Sequence, residues 1–227
     1  MAALRSNALV LFAKDPVEGQ VKTRLGSLLD SKTTLDLYFH FLADSLDKIS
    51  AVAGVDRFVG VASEPETDFF QQAGRRHEFT LFMQEGQNLG QRMHRAFLDR
   101  FEEGYQRVVI IGADSPSLPI AYMEEAFCSE EPVVIGPATD GGYYLIGMQG
   151  GVLDIFQGIS WGTGRVLEET LAVVREKRVG AGLLPVWYDV DLPEDLRFLR
   201  THMQWMEQAG LPVSRATLKF LNQLSFE

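Results

Sequence analysis

Six apolar residues in succession, Ala8 to Ala13, run into a loop that carries Pro16 and Gly19. A run of strand length with no polar alternation is what a strand buried on both faces requires. The pattern then changes. From Ser31 to about Ala53, Leu35, Tyr38, Phe39, Leu42, Leu46 and Ile49 recur at helical spacing, and Gly54 supplies a stop. Further strands are predicted at Arg57 to Ala62, Phe79 to Met83, Val108 to Gly112, Val133 to Gly136 and Tyr143 to Gly147. Between and after them come helical patterns: Leu89, Met93, Phe97 and Phe101 at intervals of four, then Val166 to Val174, Leu196 to Met206 and Ser214 to Leu224. Such alternation predicts an α/β fold on a mostly parallel sheet. With no repeat, low-complexity tract or linker-like stretch, residues 1–227 read as a single domain.

Composition narrows the partners. The formal net charge of -10 gives no general attraction to a polyanion, so nucleic acid is not an expected partner. Against that acidic background, residues 1 to 25 hold Arg5, Lys14, Lys22 and Arg24 against Asp15 and Glu18, a local basic excess. The lone cysteine, Cys128, rules out an internal disulfide, fits a reducing compartment and reads as a small core residue. No stretch approaches the roughly 20 apolar residues of a membrane span, and Ala8 to Ala13 lacks the length and cleavage pattern of a signal peptide, so a cytoplasmic protein without a membrane partner is expected.

In open α/β sheets, ligands collect beyond the carboxyl ends of the strands, and three loops there carry chemistry. After the first strand, Lys14-Asp15-Pro16-Val17-Glu18-Gly19-Gln20-Val21-Lys22-Thr23-Arg24 combines Gly19, which permits close backbone approach, with Lys22 and Arg24 as donors for phosphate oxygens. It is not a Walker A loop, because Val21 stands where that motif needs glycine, and no G-x-G-x-x-G follows the strand. After Val108-Val109-Ile110-Ile111, the segment Gly112-Ala113-Asp114-Ser115-Pro116 puts a carboxylate at a strand end, suited either to magnesium, which needs only one or two carboxylates plus substrate phosphates, or to capping the next turn. In Gly136-Pro137-Ala138-Thr139-Asp140-Gly141-Gly142-Tyr143-Tyr144, the Asp-Gly-Gly is a hairpin signal with two aromatics able to face a sugar or base. Near the C-terminus, Asp189-Val190-Asp191 ends a strand-like run before Pro193, as a helix cap or as a second acid for a metal begun at Asp114.

Taken in order, these segments, with Leu89-Gly90-Gln91-Arg92-Met93 and Trp161-Gly162-Thr163, resemble the GT-A-like nucleotide-diphospho-sugar transferase superfamily across about residues 8 to 196. The likeness is greatest to a bacterial family described as glycosyltransferases associated with arsenosugar biosynthesis. The resemblance implies a three-layer α/β/α sandwich. It implies that Lys14, Gly19, Lys22 and Arg24 serve the phosphates of a nucleotide sugar or NTP, with Gly90 and Arg92 near the nucleotide at a helix N-terminus. It also implies that Asp114 and Asp191 bind Mg2+ or Mn2+, and that Asp140, Gly141, Gly142 and Tyr143 border a small-molecule acceptor, Asp140 as general base or as a turn residue. At the usual D-x-D position this chain has Gly112-Ala113-Asp114, a single acid, which is similar to molybdopterin or phospholactate guanylyltransferases. From the family likeness as a whole, metal-dependent glycosyl transfer is the leading expectation. Nucleotidyl transfer is the alternative, and a nucleotide-binding protein without turnover is a third. The oligomeric state is not encoded in any of these features.

Overall fold

The structure, a computed structural model, describes residues 5–65 and 67–225. Its centre is a seven-stranded sheet built from β1 (Arg5–Ala13), β2 (Asp56–Val61), β3 (Thr80–Met83), β4 (Tyr105–Gly112), β5 (Val133–Pro137), β6 (Tyr143–Gln149) and β7 (Ala181–Leu183), in the order β3-β2-β1-β4-β6-β5-β7. All neighbours are parallel except β6, which runs antiparallel to both β4 and β5. That reversal is the work of the Asp140-Gly141-Gly142 turn: β5 and β6 form a hairpin, and β6 inserts between β5 and β4.

The helices are α1 (Ser31–Ala51), α2 (Phe69–His77), α3 (Leu89–Glu102), α4 (Ile120–Cys128), α5 (Val166–Glu176), α6 (Pro193–Gln208) and α7 (Arg215–Gln223), with a 3-10 helix at Thr23–Ser27. They lie on both faces of the sheet, and β1 shows why its apolar run is continuous. Leu9, Leu11 and Ala13 enter one core with α1, α2, α4, α6 and α7, while Ala8, Val10 and Phe12 enter the other with α3 and α5. The expected three layers and the mostly parallel sheet are both present.

Local chemistry explains where the helices begin. Asp30 caps α1 by accepting from the Thr33 amide at 2.9 Å, and Asn88 caps α3 by accepting from the Gln91 amide at 2.9 Å. At α6, Asp195 reaches back to accept from the amides of Leu192 at 2.8 Å and Asp191 at 3.1 Å. The capping duty therefore falls to Asp195, and the side chain of Asp191 is left for other work. Cys128 departs from expectation: it is exposed at the last turn of α4, whose buried residues are Met123 and Ala126, instead of lying in the core. Among the described residues, no helix is long and apolar enough to cross a membrane.

Candidate active site

The carboxyl ends of β1 and β4 and the start of β6 open onto a cleft of about 790 Å³, within the size range of small-molecule sites. Its floor is the expected loop after β1. Lys22 adopts a left-handed backbone (φ 47°) as it enters the 3-10 helix, a conformation that costs a non-glycine residue free energy and tends to persist where function requires it. The turn thrusts its side chain inward, where only 3% of it is exposed. A buried ammonium must be paired. Nζ of Lys22 donates to the Val190 carbonyl at 2.8 Å and to Oδ1 of Asp191 at 2.9 Å, and it forms an ion pair with Asp114.

The two acids proposed as metal ligands and the lysine proposed for phosphate thus meet at one point, brought from three separate loops. Burial pulls the Lys22 ammonium down, but the carboxylates of Asp114 and Asp191 outweigh it and hold the value above the ordinary one. Burial pushes the Asp191 carboxyl up, and Lys22, Arg24 and Lys14 reverse the direction and hold it below the usual range. Asp114 takes no capping role for α4, whose N-cap is Pro119.

Lys14, Arg24 and Arg92 also line the cleft, adding cationic side chains to its acids. The Lys14 backbone is fixed by Tyr38 of α1, whose hydroxyl accepts from its amide at 3.0 Å and donates to its carbonyl at 3.2 Å. Arg92 is steadied by donation to the Gly86 carbonyl at 3.1 Å. Gly19, Gly90 and Gly141, also predicted for the site, are not among the residues that line the cleft. Gly19 (φ 76°) completes a turn, and Gly90 is packed so closely that an added Cβ would lie 2.5 Å from the Trp161 ring. Gly141 (φ 86°) presses against Gly164, and its carbonyl accepts from Leu167, so the hairpin is fastened to the start of α5.

On the hairpin side, Asp140, Gly142 and Tyr143 line the cleft. Asp140 is exposed, and its Oδ1 accepts from the Gly142 amide at 2.8 Å, so the turn role is real. Trp161, Gly162 and Thr163 face the same space.

One acid beyond the predicted set also belongs here. Asp189 lines the cleft and accepts a hydrogen bond from Ser115, and burial, with the charges of Asp114 and Asp140, raises its pKa to about 7. Its signal was the D-x-D spacing. In extended chain, alternate residues share a side, and here Val190 is fully buried while Asp189 and Asp191 both look into the cleft. Among the described residues, no cluster of three or more acids, cysteines and histidines has the geometry of a complete metal cage.

The fold and this cleft define the chain as having the architecture of the nucleotide-diphospho-sugar transferases. A Desulfovibrio desulfuricans G20 protein assigned to that class superposes with a TM-score of 0.85 at 31% identity, covering 97% of this chain and 95% of its own. The inositol-1-phosphate CTP transferase of T. maritima (TM-score 0.54, 13% identity, 98% and 96% covered) shares the fold. So does a nucleotidyl transferase of Methanothermobacter thermautotroptrophicus (0.53, 14%, 87% and 97%). The chain belongs to the family DUF2064, described as uncharacterized proteins conserved in bacteria, whose model matches residues 45–163. No curated protein matches the sequence.

Proposed function

We propose that the protein is a metal-dependent transferase acting on a nucleotide-activated donor, and foremost a glycosyltransferase that moves a sugar from a nucleoside diphosphate to a small-molecule acceptor. The observation that carries this reading is the Lys22 ammonium held between Asp114 and Asp191 in a cleft whose rim bears Lys14, Arg24 and Arg92. The site already holds one cation on two carboxylates and surrounds it with donors for phosphate.

That donor set fits Mg2+ or Mn2+: hard carboxylate oxygens from two loops, with substrate phosphates completing the shell. Once bound there, the metal would neutralise charge developing on the diphosphate leaving group. Lys22, Arg24 and Lys14 would bind the same phosphates, with Arg92 beside the nucleotide. The acceptor hydroxyl would attack the anomeric carbon as the bond to the diphosphate breaks, and its proton would pass to Asp140 on the hairpin side.

A second reading, nucleotidyl transfer, is favoured by the single acid in Gly112-Ala113-Asp114. In that case an acceptor phosphate attacks an NTP and pyrophosphate leaves, which needs the same electrostatics. Incubating the protein and Mg2+ with nucleotide sugars or NTPs, against sugar, polyol and sugar-phosphate acceptors, separates the two. Release of a nucleoside diphosphate supports glycosyl transfer, and release of pyrophosphate supports nucleotidyl transfer. Donors that stay intact with every acceptor, while binding tightly, would favour a binding protein without turnover.

A further inference from the structure

The carboxylates assigned to a metal are engaged by the residue assigned to phosphate, and they cannot hold the ammonium and a metal at once. Nζ of Lys22 is 2.9 Å from Oδ1 of Asp191 and ion-paired to Oδ1 of Asp114, with the Val190 carbonyl at 2.8 Å as its third partner. These are the three donors of an ammonium, all used. A divalent cation placed on the same two oxygens would meet, at contact distance, the positive charge of a side chain that is itself only 3% exposed.

Three features make the ammonium the group able to move. It sits at the tip of a flexible four-carbon chain, whereas both aspartate side chains are short. The aspartates' backbone is fixed, since the Asp114 carbonyl accepts from the Val190 amide and the Asp191 amide is held by Asp195. The lysine's own wall of the cleft is already cationic, with Lys14 and Arg24 exposed beside it, so an anion bound there would draw the released ammonium.

Resting on the transferase reading, we propose that Lys22 is a displaceable counter-ion: the ammonium and the divalent metal occupy the Asp114 and Asp191 pair in turn, and metal entry delivers Lys22 to the donor's phosphates. The metal and the nucleotide then bind together. Metal alone must evict Lys22 with nothing to receive it, and nucleotide alone must draw Lys22 away from two carboxylates left without a partner. The arrangement keeps the empty protein from holding a metal tightly and so commits the site only to the metal-nucleotide complex.

The test uses Mn2+ alone, without nucleotide, titrated into the full chain and followed by the paramagnetic resonance signal of the free ion. Lys22→Met is expected to bind Mn2+ about tenfold or more tightly than the wild type. Arg24→Met removes an equal charge that acts on Asp191 through space, and it is expected to shift the affinity far less. Should Lys22→Met fold poorly by circular dichroism, Lys22→Gln keeps a neutral donor for the Val190 carbonyl and is expected to show the same gain. Equal affinity of the Lys22 variant and the wild type, including no binding by either, overturns the proposal. So does an equal gain in the Arg24 variant, which would make the effect general electrostatics. Loss of the transferase reading itself would appear elsewhere, as the absence of any response to nucleotides, and would leave this ratio of Mn2+ affinities unchanged.

Discussion

Ser115 and Asp189, 74 residues apart in sequence, meet beside the cleft, where the serine hydroxyl donates to the aspartate's Oδ1. The bond ties the loop after β4 to the segment after β7, and so holds Asp114 and Asp191 within reach of one cation. It also fixes a carboxyl among other carboxylates, which is why burial, reinforced by Asp114 and Asp140, lifts Asp189 to about 7.

Stability should therefore depend on pH through Asp189. Its folded value lies above the unfolded one, so the native state binds more protons between about 4 and 7, and stability falls as pH rises through that window. The penalty is complete above about 7 and absent near 4. Asp189→Asn, which keeps the Oδ1 acceptor for Ser115, is predicted to be more stable than the wild type at pH 8 by roughly 1 to 3 kcal/mol after allowance for solvent screening. The difference should shrink toward pH 4.5. Urea unfolding at the two values checks it, and a difference independent of pH would contradict it.

Gly90 is predicted to be intolerant of any side chain. A Cβ there would lie 2.5 Å from the Trp161 ring, and overpacking of that kind costs about 1 to 3 kcal/mol, more than alanine recovers in helix propensity near a helix start. Gly90→Ala should lower the unfolding midpoint and shift the tryptophan fluorescence. An unchanged midpoint would show that Trp161 yields freely.

At Asp140 fold and chemistry can be separated. Asparagine offers the same Oδ1 to the Gly142 amide, so Asp140→Asn should leave stability within about 0.5 kcal/mol. If Asp140 takes the acceptor's proton, turnover should fall by about 10² to 10⁴. Equal turnover in the variant would leave Asp140 as a turn residue alone.

Much of this was legible along the chain. The strands and long helices follow from apolar runs and periodicity, since burial on one or both faces is written residue by residue. The elements without a sequence prediction were the short ones: α4 buries only Met123 and Ala126, α2 only Phe70, and β7 is three residues with Gly182 at its centre. Strand order was not legible, because the insertion of β6 beside β4 depends on contacts between segments distant in sequence. The same limit hid the geometry of the site. Lys22, Asp114 and Asp191 each stood out as strand-end residues, but their meeting, across 169 residues between Lys22 and Asp191, is set by the sheet. Asp189 was hidden for another reason: a D-x-D spacing places two acids on one side only once the segment is known to be extended.

The most direct test of the account is thermal unfolding of the wild type and of Asp114→Asn with Mg2+ or Mn2+, against a panel of nucleotide sugars and NTPs. A matching donor at 100 times its dissociation constant should stabilise the wild type by about 2.7 kcal/mol, a rise of roughly 5 to 10 °C for a chain of this size. The rise should require metal and disappear in Asp114→Asn. Stabilisation by nucleotides that is indifferent to metal and survives in the variant would contradict the proposed metal site. No stabilisation by any nucleotide would contradict the central claim that this cleft holds a nucleotide-activated donor.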